Sequence, residues 1–72
     1  MPKLLSSKAI IAILEREGFA FVSQRGSHAK YRKGKYTVIV PSPRKEIPIG
    51  TFRSIVRQSG LNSTVFTSSR KK

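Results

Sequence analysis

The chain lacks cysteine, tryptophan and aspartate, and its 72 residues include one histidine and three glutamates. Without cysteine there is no disulfide and no thiolate metal site. One imidazole and three scattered carboxylates are a poor donor set for a four-ligand zinc centre. No Ser-His-Asp set can be assembled without aspartate. No pair of carboxylates is spaced for acid–base work, since Glu15 and Glu17 lie on the outer part of an amphipathic helix. There is no glycine loop of the nucleotide-binding kind. No apolar run approaches the roughly 20 residues of a spanning helix. The short apolar stretch after Lys3 is broken by Glu15, Arg16 and Glu17, so no secretion signal is expected. A cysteine-free chain fits the reducing cytoplasm, which is the expected location. Neither a metal nor a small-molecule cofactor is expected, nor a membrane partner.

What is abundant is positive charge. Fifteen Lys and Arg residues against three acids leave +12. Such an excess favours a polyanionic partner, with nucleic acid leading. Nine of the fifteen lie between Arg25 and Arg57, against Glu46 alone. The length allows one small domain with a thin core. Residues 1–66 read as that domain and residues 67–72 as a flexible basic tail.

Ser6 or Ser7 opens a first helix as its N-cap, with Leu5 and Ile10 at the spacing of a hydrophobic staple. Ala9, Ile10, Ile13 and Leu14 repeat at helical spacing, and Gly18 is the left-handed stop. Phe19, Ala20, Phe21 and Val22 read as a strand, with Ser23, Gln24 and Arg25 leading out of it to a turn at Gly26. Residues 27–33 form a second strand. Period-two alternation puts Ala29 and Tyr31 on one face and His28, Lys30 and Arg32 on the other. Gly34 pivots a tight turn into the third strand, residues 36–40. Three prolines make residues 41–48 a loop. A second helix begins between Pro48 and Thr51, runs to about Ser59 and stops at Gly60. Its apolar stripe is Ile49, Phe52, Ile55 and Val56, and Leu61 folds back onto it. Val65 and Phe66 allow at most one short turn beyond. The order predicts an α+β fold of the α-β-β-β-α type: a three-stranded antiparallel sheet with two helices on one face, leaving His28, Lys30 and Arg32 on the other.

His28 is then the one group suited to general acid–base work near neutrality. It stands in a field of cations that would bind phosphate and stabilise charge developing on it. RNA carries its own nucleophile, the 2′-hydroxyl, so one histidine in a basic site could cleave it without a metal. The same site would be inert on DNA.

Arg25-Gly26-Ser27-His28 follows a Gly-Phe strand start. Val40-Pro41 comes next, and then the stretch Ile47-Pro48-Ile49-Gly50-Thr51-Phe52-Arg53-Ser54-Ile55-Val56-Arg57-Gln58-Ser59-Gly60-Leu61. In this ordered combination the chain, from about Ser6 to Asn62, resembles the HicA family of toxins, the messenger-RNA interferases of HicA–HicB toxin–antitoxin pairs. The resemblance implies a fold like that of double-stranded-RNA-binding domains. It implies ribosome-independent cleavage of messenger RNA by an endoribonuclease, with His28 at the place of the family's catalytic histidine and Gly26 and Ser27 in the motif beside it. It also implies a small acidic HicB-like antitoxin that covers the histidine. Many members of the family carry a further histidine in the loop after the third strand, where this chain has Ser42 and Pro43. The expected RNA-binding set is Arg25, Gly26, Ser27, Lys30 and Arg32. Gly26 has an alternative role as a simple turn residue, and Ser27 as a cross-hairpin partner.

A non-catalytic module for double-stranded RNA would also need a basic face, because such RNA is read by shape and 2′-hydroxyl contacts. Loss of cleavage with retained binding on removal of His28 separates the two. A membrane-active cationic protein needs a basic amphipathic helix, and the first helix is nearly neutral. No helix-turn-helix spacing supports sequence-specific DNA binding.

Overall fold

A computed structural model describes residues 4–68 of the chain. The elements run α1 (Ser7–Arg16), β1 (Ala20–Arg25), β2 (His28–Lys33), β3 (Tyr36–Pro41), α2 (Ile49–Ser59) and α3 (Ser63–Ser68). The strands form one antiparallel sheet in the order β1-β2-β3. This is the expected α-β-β-β-α arrangement with a third short helix added.

The two serines at the start of α1 divide the work between them. Ser6 is the N-cap, its Oγ accepting from the Ala9 N–H at 3.0 Å. Ser7 is buried and ties the helix to the long loop. Its N–H donates to the Arg44 carbonyl at 3.0 Å, and its Oγ accepts from the Arg44 N–H at 3.0 Å. Next to it the Ile47 N–H donates to the Leu5 carbonyl at 2.7 Å. Ser7 and the Leu5 carbonyl therefore turn a proline-rich loop into a fixed strap and carry Ile47 into the core, where it is fully buried.

Helix α1 ends in paired bonds across Gly18, at φ 100. The Phe19 N–H donates to the Leu14 carbonyl at 2.9 Å, and the Gly18 N–H to the Glu15 carbonyl at 3.1 Å. This closing pattern satisfies helix-end carbonyls and requires a left-handed residue. It turns Phe19 inward. Lys33 Nζ donates to the Glu17 carbonyl at 2.7 Å, a cation at the negative end of the helix.

One apolar cluster lies between helices and sheet: Ile10, Ile13 and Leu14 from α1, Phe19, Ala29 and Tyr31, Val38 and Val40 from β3, Ile47, Ile55 and Phe66. Burial first, and the negative charge of Glu15 second, push the Tyr31 phenol above its ordinary range. The outer edge of β3 is covered in part by α2, since the Ile39 N–H donates to Gln58 Oε1 at 3.0 Å.

The structure corrects the sequence reading in three places. Ile49 is 50% exposed and not part of the core stripe of α2. It is the first residue of that helix, before the apolar side reaches the sheet. Strand β1 runs through Ser23, Gln24 and Arg25 instead of ending at Val22, because pairing with β2 continues to the turn. The stretch after Asn62 is the helix α3, and Phe66 on it is fully buried. Asn62 Oδ1 accepts from the Thr64 N–H at 3.0 Å as the cap of that helix. Residues 67 and 68 of the expected tail belong to α3, and residues 69–72 lie outside the described residues.

Candidate functional site

Directly opposed residues of an antiparallel pair stand on the same face of the sheet. The pairing therefore sets out the open face in rows. Arg25, His28 and Pro41 make the row beside the β1–β2 turn. Ser23, Lys30 and Ile39 make the next, and Ala20, Arg32 and Thr37 the one beyond. Successive rows are about 7 Å apart along a strand. Arg25, His28, Lys30 and Arg32 are all exposed.

Arg25 owes its place to a bulge. Phe21 pairs with Tyr31 and Ser23 pairs with Lys30, so Val22 has no opposite residue. Phe21 is on the helix side, its ring edge-on to Tyr31 at 5.7 Å between centroids. An unbroken period of two from Phe21 would put Arg25 on that side as well. One extra residue reverses the parity. Arg25 is thereby brought to the face of His28, and Gln24 is sent to the face of Ala29.

The expected site residues separate along the sheet. Arg25 and His28 are opposed, and Gly26 and Ser27 are the two-residue turn joining them. Gly26 has φ 54, while Ser27 keeps an ordinary negative φ, the arrangement of a type II′ hairpin turn. Lys30 is one row away. Arg32 is two rows away, and its Nε donates to the Gly34 carbonyl at 3.4 Å near the other end of the hairpin. Arg25, Gly26, Ser27 and His28 form a compact group, with Lys30 beside it and Arg32 at its far margin.

Gln24 is the residue that sequence reasoning passed over. Its Nε2 donates to the Gly26 carbonyl at 2.9 Å and to the Ser42 carbonyl at 3.1 Å. The Ser42 N–H donates to the Ser27 carbonyl at 2.7 Å. A single glutamine among polar neighbours has no periodicity to mark it. Only the bulge, which depends on pairing with β2, sends it toward the turn.

Other cations are engaged elsewhere. Lys33 holds the end of α1, and Lys35 Nζ sits 5.5 Å from the Tyr36 ring centroid. A shallow cavity of about 470 Å³ lies at the start of α1, lined by Ser6, Ser7, Lys8, Pro43, Arg44 and Lys45. His28 is not part of it. Among the described residues, no three His, Cys, Asp or Glu side chains gather as a metal site would require. No helix of the described residues is long and apolar enough to cross a membrane.

Residues 7–61 match the family model described as the HicA toxin of bacterial toxin–antitoxin systems. The chain belongs to the HicA toxin family. The match spans α1, the whole sheet and α2, and it contains every residue of the Arg25-to-His28 group. Membership makes this HicA chain the toxin component of a toxin–antitoxin system, a class that works with an antitoxin partner. No curated protein matches the chain.

Proposed function

We propose that this HicA chain is a metal-independent endoribonuclease that cleaves messenger RNA in the cytoplasm, with His28 as its general acid–base. The observation that carries the reading is the row of Arg25 and His28 on an exposed, uncovered sheet face, with Lys30 in the next row. In the proposed step the His28 imidazole takes the proton of a ribose 2′-hydroxyl. The 2′ oxygen then bonds to the adjacent phosphorus while the bond from phosphorus to the 5′ oxygen breaks. The departing oxygen takes a proton from the imidazolium or from water. Arg25 and Lys30 balance the charge that accumulates on the phosphate. No donor cluster is needed to supply a metal-bound hydroxide.

A net charge of +12 also favours rapid association with an acidic partner. A small acidic HicB-like antitoxin is proposed to lie over His28 and the cations around it. One experiment tests both parts. The purified chain is expected to cut a single-stranded RNA in the presence of a metal chelator. It should leave the 2′-deoxy version of the same strand intact, and lose the activity when its antitoxin is added. Binding of RNA without cleavage would reassign the chain as an RNA-binding module.

The cations make a separate expectation. Changing Lys30 and Arg32 together to Gln should weaken RNA binding and flatten its salt dependence. Loss of two phosphate contacts lowers the slope of log K against log salt by roughly 1.4 on a single strand. Binding measured between low and physiological salt gives that slope. An unchanged value would place the RNA away from this face.

A further inference from the structure

We propose that Gln24 is a positioning residue for this site: it fixes the Gly26–Ser27 peptide so that the Ser27 N–H is presented on the His28 face as a donor to a phosphate oxygen. The inference rests on the ribonuclease reading for its kinetic consequence, but not for its structural one.

The bulge at Val22 sends the Gln24 side chain to the side of Ala29, opposite His28. From there its amide nitrogen meets two carbonyls, Gly26 at 2.9 Å and Ser42 at 3.1 Å. Both partners are acceptors, so the amide must turn its nitrogen toward them, and its two hydrogens serve one each. The Gly26 carbonyl and the Ser27 N–H belong to one planar trans peptide and point in opposite directions. Drawing the carbonyl toward the helix side therefore aims the Ser27 N–H toward the open side. The peptide on the other flank of Ser27 is held as well, since its carbonyl accepts from the Ser42 N–H at 2.7 Å. Ser27 thus stands between two tethered peptide groups, immediately before His28.

Backbone N–H groups aimed in advance at developing negative charge need no reorganisation during reaction. Here the arrangement is built from a two-residue turn that water surrounds. Gly26, Ser27 and Gln24 are all exposed. Without the glutamine amide, the Gly26 carbonyl has water as its partner and the peptide plane is free to rock. The β3 end would keep the Ser42 N–H bond to the Ser27 carbonyl but lose the side-chain link that joins Ser42 to the Gly26 carbonyl.

The test uses Gln24→Met, which keeps length and neutrality but donates nothing, and Gln24→Lys, which restores a donor. Amide spectra of Ser27 are followed while the 2′-deoxy oligonucleotide is added, with buried Leu14 of α1, on the other side of the sheet, as the control. In the unaltered chain the Ser27 proton is expected to move downfield and Leu14 to stay. In Gln24→Met the Ser27 shift should vanish, with the melting temperature little changed. On RNA, kcat should fall on the order of 10- to 100-fold, less than the roughly 10²- to 10³-fold cost of deleting such a donor outright, because the Ser27 N–H is loosened and not removed. KM should stay within about threefold. Gln24→Lys should recover most of the rate. A folded Gln24→Met protein that keeps both the Ser27 shift and kcat within twofold overturns the proposal, as does a Gln24→Lys protein no better than Gln24→Met. Should Gln24→Met fail to fold, the neutral Gln24→Ala gives the same readings. If the unaltered chain cleaves no RNA, the ribonuclease reading falls, and the Ser27 amide titration alone still decides the role of Gln24.

Discussion

A His28→Ala chain is expected to fold as the unaltered protein does and to leave RNA uncut. His28 opens β2 with its side chain exposed, and the core contacts of that strand come from Ala29 and Tyr31 on the opposite face. Truncating an exposed strand residue changes stability by about 0.5 kcal/mol or less. The proposed chemistry has no comparable reserve. A positioned acid–base group contributes about 10²- to 10⁴-fold, and no second imidazole exists in the chain to replace it. The loop after β3, at Ser42 and Pro43, supplies only backbone groups to the turn. Cleavage of a labelled RNA should therefore drop by at least about 100-fold, with growth arrest relieved in cells expressing the variant. RNA binding should persist, because Arg25 and Lys30 remain. A folded, nuclease-free His28→Ala preparation that cuts at the normal rate would end the assignment.

Pairing the loss with retained binding matters, because the basic face alone suits a binder as well as a nuclease. The sequence made that face visible through simple alternation: His28, Lys30 and Arg32 fall on one side of a strand whose other side is Ala29 and Tyr31. Local chemistry was legible for the same reason at both ends of α1. A serine cap and a glycine stop act within a few residues of where they stand.

What was not legible depends on partners far along the chain. Nothing local to Phe21, Val22 and Ser23 marks a bulge. It exists because β1 must meet β2 in register at both Phe21–Tyr31 and Arg25–His28, and one residue is left over. Arg25 was expected to bind RNA from its charge and its motif, but its place beside His28 follows from that mismatch. Gln24 was invisible for the same cause. Ile47 reads as an apolar residue in a proline-rich loop until Ser7 straps that loop to α1. Phe66 has an asparagine cap and one hydrophobic neighbour, Val65, which is too little periodicity to distinguish a docked helix from a fraying end.

Phe66 carries the largest expected effect on stability. It is fully buried, and its ring stands edge-on to Phe52 at 5.7 Å between centroids and 86° between planes. The short helix around it has six residues, too few to hold its shape alone. It is therefore ordered by the burial of that ring against α1 and α2. Phe66→Ala removes the anchor and leaves a cavity, a change that costs about 3 to 5 kcal/mol. A domain of this length has only about 4 to 11 kcal/mol in total. Thermal melting should fall by more than about 12 °C, at 4 to 8 °C per kcal/mol for a small domain. The chain would then be close to unfolding at 37 °C. Phe66 belongs to the helix side of the sheet, away from the row of Arg25 and His28, so molecules that remain folded at low temperature should cleave RNA at the normal rate. A melting shift below about 3 °C would mean that α3 lies outside the cooperative unit. A large shift with intact low-temperature activity would show that α3 supports the sheet without touching the chemistry proposed for its other face.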